Sequence, residues 1–321
     1  MPLIIKDGPN GQTGGVPFPE VKQDIEEMEK AGKAFNPIVL KIIPQFLIPV
    51  KKIREAMGHP NKDIARSSLT SRAYNIPGPN GDVPIRVYSP EGENLPILIF
   101  YHGGGWIGGS MDAVENICRG IADRAKCVVI NVGYRLAPEH KFPIGLEDAY
   151  ASILWTADNA ALIGGDPNQI LVGGDSAGGN LAAACCLMTI ERKGPKLVGQ
   201  ILLYAVTNIF ASCQDPNFEM AHFNMIARLY VKNKKQLSHP YCSPALADDM
   251  TVMPPTLVVT AEFCPFMNDG ETFAQKLSDE GVQVKAIRYN GLNHAFLDKV
   301  GVWKYANDCI EDIATFLSSE I

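Results

Sequence analysis

Residues 170–184 read ILVGGDSAGGNLAAA, and this stretch decides the fold. Ile170-Leu171-Val172-Gly173 has the character of a buried parallel strand. It breaks at Gly174-Asp175-Ser176-Ala177-Gly178 and continues as an Ala-rich helix. A G-x-S-x-G between a strand and a helix holds its serine on a strained turn, so the flanking positions must carry little or no side chain. Gly174, Ala177, Gly178 and Gly179 meet that demand. Ser176 then stands at a helix N-terminus, where free amides and the helix dipole favour negative charge. The plain alternative is a Gly-rich turn without chemistry, and the agreement of pattern with context argues against it.

Outward from this stretch, apolar runs alternate with helical periodicity. Residues 73–76 and 83–88 read as a hairpin joined by PGPNGD. Strands follow at 95–101, 127–132, 199–205, 256–261 and 282–289, with helices at 111–125, 146–161, 269–280 and 303–319. The expectation is a mostly parallel eight-stranded sheet with helices on both faces. Residues 1–18 are Gly/Pro-rich and expected to be loosely ordered at the very end, ahead of a helix over 19–35 and one or two short apolar helices over 36–57. Residues 207–249 hold no convincing strand; the helical stretch 217–232 is rich in Met, Phe and His. A long insertion of this kind is either functional or a lid, whereas the early apolar helices are open to capping a pocket or packing outside.

The chain of 321 residues fits one large α/β domain with a subdomain, or two small domains. Hydrophobic residues make up 46% and charged residues 20%, enough for a sizeable core, and the net charge of -6 argues against nucleic acid as a partner. The first residues lack the basic and apolar regions of a signal peptide. The run 38–50 is too short for a bilayer and is interrupted by Lys41, Pro44 and Pro49, so no stable membrane insertion is expected. Eight cysteines form no C-x-x-C, and six histidines show no paired ligand spacing. The expectation is a cytoplasmic protein of buried thiols with no metal and no cofactor.

Two further stretches converge on the serine. Tyr101-His102-Gly103-Gly104-Gly105-Trp106 follows a strand, and its glycines let backbone amides approach a substrate oxygen. With Ala177 N–H, the amides of Gly103, Gly104 and Gly105 are candidate oxyanion donors. A phosphate loop is disfavoured, because no G-K-[ST] follows and the run is not G-x-G-x-x-G. Asn290-Gly291-Leu292-Asn293-His294-Ala295-Phe296 lies past the last strand, where a loop histidine serves as base to such a serine.

These residues resemble the hormone-sensitive-lipase-like branch of α/β hydrolases, also called bacterial esterase family IV. HGGGW at 102–106, YRLAPEHKFP at 134–143, LEDAY at 146–150, GDSAGGN at 174–180, MPPTLVVTAEF at 253–263 and GLNHAF at 291–296 carry the resemblance, which covers about residue 72 to the C-terminus. It implies an α/β-hydrolase fold with a helical cap. The N-terminal helices of 1–60 and the insertion 207–249 would form the cap, with the core in 61–206 and 250–321. It also implies a carboxylesterase acting on a small-molecule ester of short to medium acyl chain, through an acyl-enzyme, with Ser176 as nucleophile and His294 as base.

One position departs from the family. The family reads roughly A-E-x-D-P-L-x-D-x-G, with the first Asp as the triad acid; here Cys264 takes that place and Asn268 the second Asp. The interval from 264 to 294 is thirty residues, as in the family, which speaks against a register slip. A thiol fixes the histidine tautomer and stabilises imidazolium poorly, so the expectation is a slow esterase or a substitute acid, Glu262 or Asp269. Cys264 as an independent nucleophile is disfavoured, with only His294 cationic nearby. The alternative is a degraded hydrolase scaffold that binds a small ligand, as the family's plant gibberellin receptors do. Tyr134, Arg135 and Glu139 are expected to anchor loops. Trp106, Met220, Phe223 and Met225 are open to lining the pocket or packing the cap. An edge strand at 282–289 is open to pairing across a homodimer.

Overall fold

The computed structural model describes residues 1–7, 14–33, 48–55, 57, 58, 60–215, 218, 220 and 223–319. The helices expected over 36–57 fall largely outside these residues, as do parts of the stretch 217–232. Nine strands form one sheet: β1 (Leu3–Lys6), β2 (Thr70–Ile76), β3 (Val83–Ser89), β4 (Leu95–Tyr101), β5 (Val128–Val132), β6 (Gly165–Asp175), β7 (Gly199–Leu203), β8 (Thr256–Phe263) and β9 (Val284–Asn293). Their order is β1-β9-β8-β7-β6-β4-β5-β3-β2. β3 pairs antiparallel with both β2 and β5, and every other pairing is parallel. β5 and β7 are buried along their whole length, which explains their unbroken apolar sequences.

The count of eight strands is corrected to nine, and with it the view of the N-terminus. Leu3 to Lys6 lie parallel on Ala286 to Tyr289, and the Lys6 ammonium reaches Asp312 at 2.6 Å. Only four residues long, this strand is too short to show a period in the sequence. It covers β9, so residues 282–289 are not a sheet edge and the dimer contact suggested for them has no open strand to use.

The helices are α1 (Pro19–Lys33), α2 (Val50–Glu55), α3 (Glu115–Ala125), α4 (Ile144–Asn159), α5 (Ala177–Glu191), α6 (Ile209–Gln214), α7 (Phe223–Tyr230), α8 (Met267–Asp279) and α9 (Lys304–Ser319). Among the described residues of 207–249 there is no strand. None of the described helices is long and apolar enough to cross a membrane. Parallel pairing puts the C-terminal ends of β4, β6, β8 and β9 along one edge of the sheet, and the segments singled out in the sequence leave from those ends.

Candidate active site

Between β6 and α5, Ser176 adopts φ 53° and ψ -115°, a conformation that costs a non-glycine residue about 1–3 kcal/mol. Close packing enforces it. A Cβ on Gly174 or Gly178 would strike the Tyr101 carbonyl at the end of β4, so β4 and the turn approach as only glycines permit. Ser176 N–H donates to Leu203 O at 2.8 Å, and Asn180 Nδ2 donates to Val206 O and Cys242 O, both at 2.8 Å. The turn is thereby tied to the segment after β7.

β9 runs four residues past its expected end, to Asn293, and delivers His294 directly. His294 Nε2 lies 2.9 Å from Ser176 Oγ, and Nδ1 lies 3.1 Å from Cys264 Sγ. The three side chains form one line. Tyr204 and Phe266 flank the imidazole edge-on, with ring centroids 5.1 and 5.3 Å away. Burial lowers the His294 pKa to about 4, so the ring is neutral at pH 7. Cys264 follows β8 and is 6% exposed; its sulfur also receives the Phe266 N–H at 3.4 Å.

Neither expected substitute acid touches His294. Glu262 accepts the N–H of Gly15 at 2.5 Å and that of Gly291 at 2.7 Å. Asp269 accepts Thr207 N–H at 2.7 Å, Thr207 Oγ1–H at 2.6 Å and Asn208 N–H at 3.1 Å.

The glycine loop is held from below. Gly103 N–H donates to Asp175 Oδ1 at 2.8 Å, His102 Nδ1–H donates to Gly103 O at 2.8 Å, and Tyr134 OH donates to His102 O at 2.7 Å. Asp175 therefore occupies the Gly103 amide, and the donors that meet no acceptor among the described residues are Gly104, Gly105 and Ala177. Gly104 and Gly105 have φ of 118° and 61°. At Gly104 a Cβ would meet the Gly108–Gly109 backbone.

Tyr134, Arg135 and Glu139 all brace loops. Arg135 pairs with Asp148, and Glu139 takes two bonds from Arg54 of α2, at 3.0 and 2.6 Å. Arg54 also donates to Ile107 O and Ala137 O. Trp106 stacks on Tyr230 of α7 at 4.4 Å, while Phe218, Phe223 and Phe266 form an aromatic cluster that reaches His294. Phe223 and Met225 are buried, and Met220 packs on the core. Sequence reasoning missed Asp175, Tyr204 and Phe266. Only Asp175 had a signal, its place beside the serine. Among the described residues, no group of three His, Cys, Asp or Glu side chains is arranged to hold a metal ion.

Residues 98–298 match the family described as the alpha/beta hydrolase fold. The chain belongs to the α/β-hydrolase family. Its relatives place this α/β hydrolase in the hormone-sensitive-lipase-like esterase branch. It is 37% identical over 225 residues to an arylesterase of Saccharolobus solfataricus, covering 67% of this chain and 73% of that one. It is 37% identical over 231 residues to carboxylesterase NlhH of Mycobacterium tuberculosis, covering 68% and 72%. A hyperthermophilic esterase from Pyrobaculum calidifontis superposes with a TM-score of 0.78 at 32% identity, over 95% of this α/β hydrolase and 99% of that chain. The enzyme class is carboxylic ester hydrolase.

Proposed function

We propose that this esterase works through Ser176 as nucleophile and an acyl-enzyme intermediate. The observation that carries the reading is the 2.9 Å contact from Ser176 Oγ to a neutral His294 Nε2, at the N-terminus of α5. Ser176 Oγ attacks the ester carbonyl as its proton passes to Nε2. The oxyanion forms against the amides of Ala177 and of Gly104 or Gly105. His294 returns the proton to the departing alcohol, and a water then repeats the sequence on the acyl-enzyme to release the acid. Cys264 stands where the family's triad acid stands.

The substrate is a small ester of short to medium acyl chain. Support comes from the wall formed by Phe218, Phe223 and Phe266 beside His294, and from α7, whose Ile226 lies against Gly105. Residues 1–60 and 207–249 act as the cap in this reading, because Arg54 and α7 both fasten onto the loops around the glycines. All eight cysteines are thiols, which suits a reducing cytoplasm.

The test is hydrolysis of p-nitrophenyl acetate and butyrate by wild type and Ser176→Ala, with a serine-reactive phosphonate as a titrant. Loss of nearly all turnover in the variant and one phosphonate per chain in the wild type are expected. Equal rates, or no labelling, would reject the serine mechanism and leave the scaffold as a binder of small ligands.

A further inference from the structure

Given the serine mechanism proposed above, we infer that the thiolate of Cys264, and not its thiol, is the form that makes His294 a base. Cys264 is then a positioning residue whose ionisation switches the site on. A neutral imidazole carries one N–H. To accept the Ser176 proton, Nε2 must keep its lone pair, which puts the ring proton on Nδ1, facing sulfur at 3.1 Å. A thiol there donates its S–H to Nδ1 and leaves the ring proton on Nε2, facing Ser176 Oγ. That is the unproductive tautomer; in serine proteases the same fault lowers turnover about 10⁴-fold. Loss of one proton from the pair to solvent gives S⁻···H–Nδ1 with Nε2 free. The anion then also stabilises the imidazolium that forms as Ser176 attacks.

Two neighbours of the sulfur favour that form. Phe266 N–H already donates to it, so the sulfur is an acceptor from one side before His294 is counted. Phe266 is the N-cap of α8, and the positive end of that helix faces Cys264. Charges on the packed elements oppose it. Tyr204 after β7 interacts with Asp175 of β6, with Asp298 and with Cys264, while Asp269 of α8 and Glu262 of β8 are bonded elsewhere. Lys299 is neutralised by Asp24 at 2.9 Å. An ordinary thiol ionises at about pH 8.5 and burial disfavours its anion, so the switch is expected on the alkaline side of neutrality.

The experiment compares pH profiles of kcat for wild type, Cys264→Ser and Cys264→Asp, with Ser176→Ala as the blank for chemical hydrolysis. Wild-type kcat should climb about tenfold per pH unit above neutrality and then level off. Cys264→Ser, which cannot ionise, should lack that limb. Cys264→Asp, already ionised, should be flat there and at least tenfold faster than wild type at pH 7. The ultraviolet thiolate absorbance of wild type minus Cys264→Ser should titrate with the midpoint of the kinetic limb. Superimposable profiles for wild type and Cys264→Ser would overturn the inference, whether or not Cys264→Asp folds. Hydrolysis by Ser176→Ala at the wild-type rate would instead overturn the serine mechanism, so the two failures are distinct.

Discussion

Removing the carboxylate of Asp175 tests whether the glycine loop is set by one hydrogen bond. Asp175 ends β6, is 3% exposed, and its single side-chain hydrogen bond among the described residues is the 2.8 Å bond from Gly103 N–H. Burial pushes its carboxyl up from the usual carboxylate range. Asp175→Ala leaves the Gly103 amide buried without an acceptor, at roughly 1–3 kcal/mol of stability. It also frees the loop whose next two amides are the proposed oxyanion donors. Misplacing one such donor costs about 10²–10³ in kcat, or about 2.7–4 kcal/mol of barrier. Asp175→Asn keeps an acceptor of nearly the same size, so its kcat should stay within about tenfold of wild type. The assay is kcat on p-nitrophenyl butyrate at saturation, paired with urea unfolding of each variant. If Asp175→Ala folds and keeps kcat within a few-fold, the loop does not depend on this bond and the argument is wrong.

Glu262→Ala should lose roughly 1–3 kcal/mol of stability, mainly by leaving the buried Gly291 amide without an acceptor, while kcat moves less than tenfold. A fall near 10⁴-fold, seen by steady-state kinetics, would make it the acid after all. Asp269→Asn should likewise spare kcat and lower the melting temperature, since its carboxylate serves Thr207 and Asn208. His102 is held neutral by burial, with its pKa lowered to about 4. The unfolded chain therefore binds a proton between pH 6.5 and 4 that the native chain excludes. The stability this group contributes is full above pH 6.5 and falls by about 1.4 kcal/mol per pH unit toward pH 4. In urea melts at pH 6.5 and 4.5, wild type should lose about 2–3 kcal/mol more than His102→Phe; parallel losses would contradict the neutral ring.

What the sequence exposed and what it hid divide along the range of the constraint. Gly174, Gly178 and the strand and helix around Ser176 are local demands of one turn, and they were legible from residue types alone. His294 was legible because its loop follows a strand, although β9 extends to its doorstep. The Asp175–Gly103 bond joins residues 72 apart, and Glu262 meets an amide 247 residues away. No period in the sequence reports such partners. The fold class followed from apolar runs of strand length, yet β1 escaped because four residues, two of them with exposed side chains, carry no such signal.

The fate of the acid position follows from the same long-range bonds. Glu262, Asp269 and Asp175 each satisfy amides that would be orphaned if they moved, at roughly 1–3 kcal/mol for each buried donor. Asp298 makes no side-chain hydrogen bond among the described residues, and it stands in the mutual repulsion of Asp175. Neither Asp298 nor Asp175 hydrogen-bonds His294 among the described residues, whereas the Cys264 sulfur lies 3.1 Å from Nδ1. In the proposed mechanism it is then the sulfur of Cys264 that governs the tautomer. A carboxylate returned to residue 264 needs no new partner, because the Phe266 N–H that now meets sulfur at 3.4 Å is placed to meet an oxygen. In the proposed mechanism the backbone here thus suits an acid, and the thiol at Cys264 is what sets the site's chemistry apart.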